Sequence, residues 1–231
     1  MLFMNKDGLN KSYMLNDISN IVVVRLTQYL SILKEVRKEK ENINSIELAK
    51  KMKSTSAQVR KDFATFGGFG VRGKGYNIDR LIDIIEHILG IDVTNKLVLI
   101  GHGKMGSMIS NNIDVLGKSF KIIGVFDKDK RKIGNKIEAL NIVIDSVDNL
   151  EHFIKENKVE QVILSVIQEE AQSVTDLLIK NGVKSILNLT AYKLDVPDNV
   201  VVINADLSAK LQELNFWKNH ISIWSNGVNN D

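Results

Sequence analysis

Leu97-Val98-Leu99-Ile100 leads directly into Gly101-His102-Gly103-Lys104-Met105-Gly106. Four apolar residues in a row predict a strand buried on both faces, and the loop after it carries glycine at its first, third and last positions. Each glycine has its own task in a strand-to-helix turn. Gly101 permits the tight turn, Gly103 lets a pyrophosphate approach the backbone, and Gly106 allows the helix to lie close to the strand. The N–H groups at the start of the helix, on Lys104, Met105 and Gly106, then suit an anion. The glycine pattern alone is weak. The strand before it and the helix after it make it a candidate dinucleotide site.

The next apolar run, Ile122–Phe126, closes on Asp127. A carboxylate there can accept hydrogen bonds from adenosine ribose hydroxyls and repel a 2′-phosphate, which selects NAD(H) over its phosphorylated counterpart. Further apolar runs at 142–144, 162–166, 186–189 and 200–203 alternate with helical patterns at 104–116, 147–157 and 169–180. Such alternation predicts a parallel sheet of the Rossmann type, an α/β domain spanning 91–205. From Asp206 to about Trp224, a last helix carries Leu207, Leu211, Leu214, Trp217 and Ile221 along one side. Segment 206–231 reads as a dimerisation helix.

Upstream of residue 91 the periodicity is purely helical until a glycine-rich stretch. Val22, Val23, Leu26, Tyr29, Leu30, Leu33 and Val36 space a helix over 20–39. Ser45 is placed to cap a short helix through Lys51, and Ser56 to cap another over 57–66. Gly67-Gly68-Phe69-Gly70-Val71-Arg72-Gly73-Lys74-Gly75-Tyr76 then reads as a tight hairpin, and Asp79–Leu89 as a helix stopped by Gly90. Three helices and a basic hairpin make a winged helix-turn-helix over 1–90. Its second motif helix, Ser56-Ala57-Gln58-Val59-Arg60-Lys61-Asp62-Phe63, places Gln58 to read adenine and Arg60 guanine, with Lys61 on phosphate. Arg72 and Lys74 in the wing reach phosphates or the minor groove. Reading two half-sites of a DNA duplex requires a second copy of the chain, so a homodimer is expected.

Charge supports this division. Residues 1–78 hold 14 Lys and Arg against 7 Asp and Glu, while the remainder holds 17 against 21. A basic front suits a polyanion. There is no cysteine, which excludes disulfides and thiolate chemistry, and His87, His102, His152 and His220 lack metal-ligand spacing, so no metal is expected. The start of the chain lacks a secretion pattern, and no apolar run approaches the roughly 20 residues of a membrane span. A cytoplasmic protein without a membrane partner is expected. Tyr192 and Lys193 follow a strand end but have no partner or substrate-orienting arginine, so no catalytic residue is assigned and an oxidoreductase is disfavoured. A Rossmann domain that is only a scaffold, or binds another nucleotide, is the remaining alternative.

The chain closely resembles the redox-sensing transcriptional repressor family Rex. The resemblance rests on Gln58-Val59-Arg60-Lys61-Asp62-Phe63, on Phe66-Gly67 through Gly75-Tyr76-Asn77, on Ile88-Leu89-Gly90 and on the glycine loop. It continues through Phe126-Asp127-Lys128-Asp129 with Lys132-Ile133-Gly134, then Glu170-Ala171-Gln172, the stretch Gly182–Asn188, and Val196-Pro197. It implies a homodimer that occupies operator DNA when NADH is scarce and leaves it when NADH binds, in response to the NADH/NAD⁺ ratio. It also implies Lys132 and Ile133 beside the cofactor, and a last helix swapped onto the partner. In the family an arginine of the first helix and a tyrosine after the glycine loop alternate on an acid near that helix. Here the acid is Asp206, while Ser31 and Asn112 hold the other two positions. Thr27, Ile167 and Ala191 stand where the family has prolines.

Overall fold

The computed structural model describes residues 18–67 and 75–221. The chain divides into two compact units, one reaching Asp92 and resuming at Trp217, the other Val93–Phe216. The segment expected as a third, from residue 206, is shared between them.

In the first unit α1 (Asn20–Val36) buries Leu26, Tyr29, Leu30, Leu33 and Val36, the stripe that its periodicity places on one face. A two-residue strand, β1 (Asn42–Ile43), follows where only an interruption was expected. The next helix, α2 (Ser45–Met52), is capped by Asn44 rather than Ser45: the Asn44 side chain accepts from the N–H groups of Ile46 and Glu47. Likewise α3 (Ser56–Thr65) is capped by Thr55, whose hydroxyl accepts from the Gln58 N–H at 3.0 Å, and Ser56 is already helical. Both corrections share one cause. A capping residue must keep extended backbone angles, and Asn44 and Thr55 are the residues that do.

β2 (Tyr76–Asn77) pairs antiparallel with β1, Ile43 opposite Tyr76. α4 (Ile78–Ile88) starts at Asn77, whose side chain accepts from the Arg80 N–H, and ends before Gly90 at φ +66. The tip of the expected hairpin, with Arg72 and Lys74, lies outside the described residues. Phe63 stands at the centre of this core, edge-on to Tyr29 at 5.1 Å and to Tyr76 at 5.2 Å.

The second unit is a six-stranded parallel sheet. Its strands are β3 (Asn95–Ile100), β4 (Phe120–Asp127), β7 (Asp145–Ser146), β8 (Gln161–Leu164), β9 (Ser185–Asn188) and β10 (Val201–Asn204), in the order β10-β9-β8-β3-β4-β7. Val98 and Ile100 of β3 join the core under α6 (Leu150–Asn157) and α7 (Gln168–Lys180). Leu97 and Leu99 join the opposite core, with Ile109 of α5 (Lys104–Asn111). Burial on both faces is why β3 reads as an unbroken apolar run. The chain leaves β3 toward β4 on one side and returns to β8 on the other, so the switch point lies between β3 and β8. Open sheets of this kind bind ligands outside the carboxyl ends of the strands at such a point.

Three expected elements differ. The run 142–144 forms only the short β6 (Ile142–Val143), which pairs with β5 (Lys136–Ile137), and the strand that joins β4 is β7, just past the run. The helix over 104–116 stops at Asn111, because the Asn112 amide donates to the Met108 carbonyl at 2.7 Å, and a 3₁₀ turn over Ile113–Leu116 follows. The helix over 147–157 opens with a 3₁₀ turn, Val147–Asn149. The last helix, α8, covers Leu207–Asn219.

Phe63→Ala would empty the centre of the first core. It is expected to lower stability by about 3–5 kcal/mol, read as an earlier transition in thermal or urea unfolding.

Candidate functional site

The three glycines of the loop are not equivalent. Gly101 has φ +88, and a Cβ built there would lie 2.3 Å from the Ser165 carbonyl oxygen. At Gly106 a Cβ would lie 2.1 Å from the Gly101 carbonyl oxygen, so the first turn of α5 rests directly on the loop. Both are accounted for by the chain's own packing. Gly103 differs, for a Cβ there meets no described atom within 4 Å. It is also the N-cap of α5 without a side-chain cap, and the first-turn N–H groups of Lys104, Met105 and Gly106 have no helical carbonyl to reach. The backbone is bare where an anion would arrive, which fits a dinucleotide pyrophosphate.

Asp127 anchors this loop. Its Oδ2 accepts the His102 N–H at 2.7 Å and the Lys132 ammonium at 2.9 Å, and its Oδ1 accepts the Asp129 N–H at 2.8 Å. Burial alone would raise this carboxyl, yet the Asp129 N–H, Lys132 and the His102 N–H together hold it below the usual carboxylate range. A carboxylate has about four acceptor positions, so one on Oδ1 remains for an outside donor such as a ribose hydroxyl. The structural duty of Asp127, joining loop to turn, was not read from the sequence. No periodic spacing announced it, since Lys132 lies five residues past Asp127 across a non-helical turn. Lys104 is exposed, and Met105 and Ile133 are half-buried. The His102 imidazole meets the buried Ser110 hydroxyl at 2.9 Å, and burial pushes its pKa down, which favours the neutral ring. Lys128, directly after β4, and Glu170 of α7 form an ion pair.

On α3, Arg60 and Lys61 are exposed, Ser56 is half-buried, and the Arg60 guanidinium lies 3.3 Å from the Ser45 hydroxyl. Gln58 is tied inward. Its amide nitrogen donates to Asp62 Oδ1 at 2.8 Å. Asp62, only 1% exposed, also accepts both arms of the Arg25 guanidinium, at 2.6 and 2.7 Å, and the Tyr29 hydroxyl at 2.9 Å. Burial raises its carboxyl, but these donors outweigh burial and hold it below its ordinary value. Arg25, Tyr29 and Asp62 were missed as a cluster. Tyr29 and Arg25 lie 33 and 37 residues before Asp62, and no local pattern connects them to it.

On α8, Asp206 caps the helix through the Ala209 N–H at 3.0 Å, Leu207, Leu211 and Leu214 are exposed, and Trp217 is half-buried. Ser31, Asn112 and Ala191 are exposed, as is Ile167 at the start of α7. Among the described residues no group of three or more His, Asp or Glu side chains converges to hold a metal, and no helix is long and apolar enough to cross a membrane.

Comparison with known proteins agrees with both halves. Residues 17–64 match the family described as putative DNA-binding protein N-terminus, and residues 92–192 the family described as CoA binding domain. The redox-sensing transcriptional repressor Rex of Caldicellulosiruptor saccharolyticus is 38% identical over 201 residues, 87% of this chain and 91% of that protein. The structure of RSP in complex with β-NAD⁺ and operator DNA aligns over 92% of this chain and 98% of its own, with a TM-score of 0.83 and 34% identity. The complex of RSP with β-NADH aligns over 91% and 98%, with a TM-score of 0.80 and 33% identity.

A depressed carboxyl such as Asp127 contributes stability above its unfolded pKa, and that contribution is lost as pH falls through its lowered folded value. Lys132→Met is expected to raise the Asp127 pKa toward the ordinary range and move this loss to higher pH. The side-chain carboxyl ¹³C shift reads it directly, and an unmoved pKa would show that the two backbone N–H groups hold the charge alone.

Proposed function

The chain belongs to the Rex family of redox-sensing transcriptional repressors, and on that premise we propose that it binds operator DNA and is released by NADH, so that transcription follows the NADH/NAD⁺ ratio. The observation that carries this reading is the bare backbone at Gly103, beside two glycines already explained by packing. The N–H groups of Lys104, Met105 and Gly106 hold the pyrophosphate, and the spare acceptor of Asp127 takes a ribose hydroxyl. His102 contributes through its backbone, and Lys132 and Ile133 border the adenosine side. On the other unit, Arg60 and Lys61 meet the duplex from α3, with Ser56 and Gln58 at the helix start, and Arg72 and Lys74 extend the contact. The bound nicotinamide serves as a signal of reduction state and undergoes no turnover, in keeping with relatives that are named as repressors.

The working unit is a homodimer. In one chain Leu207 and Leu211 are each 65% exposed and Leu214 63%, an apolar row on α8 that a second copy covers. The chain works in the cytoplasm, where DNA and NADH meet. Ser31 and Asn112 supply neither a cation nor a phenol to a partner's Asp206, so the apolar contacts of α8 set the pairing. NADH and operator DNA each lower the other's affinity, with a coupling of about 1–3 kcal/mol, or about 5- to 150-fold.

Gly103→Val fills open space and leaves the fold intact, so it is expected to keep the wild-type melting temperature while losing NADH affinity at least about tenfold. With the operator obtained by selection from random duplexes, NADH is expected to release DNA from the wild type and not from Gly103→Val. Equal operator affinity of the wild type with NADH, NAD⁺ or neither would contradict the proposed function.

A further inference from the structure

A glutamine amide can face a DNA base with either end. Its oxygen accepts from adenine N6 or cytosine N4, and its nitrogen donates to guanine or thymine. At Gln58 that choice is made inside the protein. The group across from it is the carboxylate of Asp62, which offers no proton at neutral pH, so only the amide nitrogen can face inward, as its 2.8 Å bond records. Asp62 is in turn held still by Arg25 and Tyr29 from α1, so it cannot turn away to suit a different base. The Gln58 oxygen, on the other side of the same planar amide, has no hydrogen-bond partner among the described residues, and no side-chain oxygen without a partner is buried. It reaches solvent. The nitrogen keeps a second proton, so a paired contact with adenine stays open, while the fixed oxygen meets a donor at adenine N6 or cytosine N4 and is repelled by guanine O6 or thymine O4.

We propose that Asp62 is a positioning residue for base recognition: by holding the amide nitrogen of Gln58 it presents the oxygen to the groove and selects adenine or cytosine over guanine or thymine at one position of the contacted strand. This rests on the reading of α3 as the recognition helix. It differs from a merely structural role for Asp62, which would weaken every DNA sequence alike. Asn in place of Asp62 can donate or accept, so it lets Gln58 turn over and removes the selection.

The test is enrichment of full-length protein on a random duplex library with fixed flanks, sequenced after several rounds. The wild type is expected to favour adenine or cytosine at one position by about five- to tenfold, the worth of roughly one hydrogen bond. Asp62→Asn is expected to flatten that position alone and leave the other positions ranked as before. Tyr29→Phe, which takes a donor from the same carboxylate, is expected to lower stability and keep the preference. Should Asp62→Asn fail to fold, Gln58→Glu decides, because it can only accept: the same base ranking at weaker affinity supports the proposal, and a changed ranking overturns it. An unchanged preference in Asp62→Asn, or equal flattening in Tyr29→Phe, overturns it while leaving the recognition helix in place. A wild type that enriches no sequence would overturn both.

Discussion

The helix α5 lies so close to the loop before it that a Cβ on Gly106 would stand 2.1 Å from the Gly101 carbonyl oxygen. That contact brings the first-turn N–H groups of the helix to the carboxyl edge of the sheet, next to the switch point between β3 and β8. The partial positive charge of the helix end acts over only about one turn, so an anion site depends on this closeness. Asp127 then tethers the loop to the turn after β4 through His102, Asp129 and Lys132. A dinucleotide meets a backbone already set, and little ordering opposes its binding.

The DNA-reading unit uses a similar device. A carboxylate is withdrawn from water and given enough donors to remain charged, and the group it grips is the one that must be placed accurately. Asp127 grips a loop and Asp62 grips a helix. Hydrogen bonds to a charged group each contribute about 1.5–3 kcal/mol net, and removing one member leaves the others unsatisfied, which costs more than the bond itself. Fixed geometry is the gain in both places.

Backbone demands were legible in the sequence, and long-range side-chain partnerships were not. Gly101 and Gly106 announce themselves because only glycine meets the sterics of that turn, and Gly103 because it leaves the backbone bare. The β3 run and the α1 stripe announce burial through periodicity. By contrast, Asn44 and Thr55 each have a serine next in the chain that could cap as well, and backbone angles decide between them. Two-residue strands such as β1 are too short to show alternation. Asp62 looks like one more charge on a basic helix until Arg25 and Tyr29 are brought across from α1. The spacing on α3 suggests Gln58 for base contact but gives no sign that its amide nitrogen already donates to Asp62.

Two ligands on two units of one chain make the central claim a thermodynamic one, and thermodynamics requires the coupling to be reciprocal. The direct measurement is a calorimetric or fluorescence titration of NADH into the protein, with and without saturating operator DNA. The account predicts that operator weakens NADH binding by the same factor by which NADH weakens operator binding. An NADH affinity identical in the presence and absence of operator would contradict it.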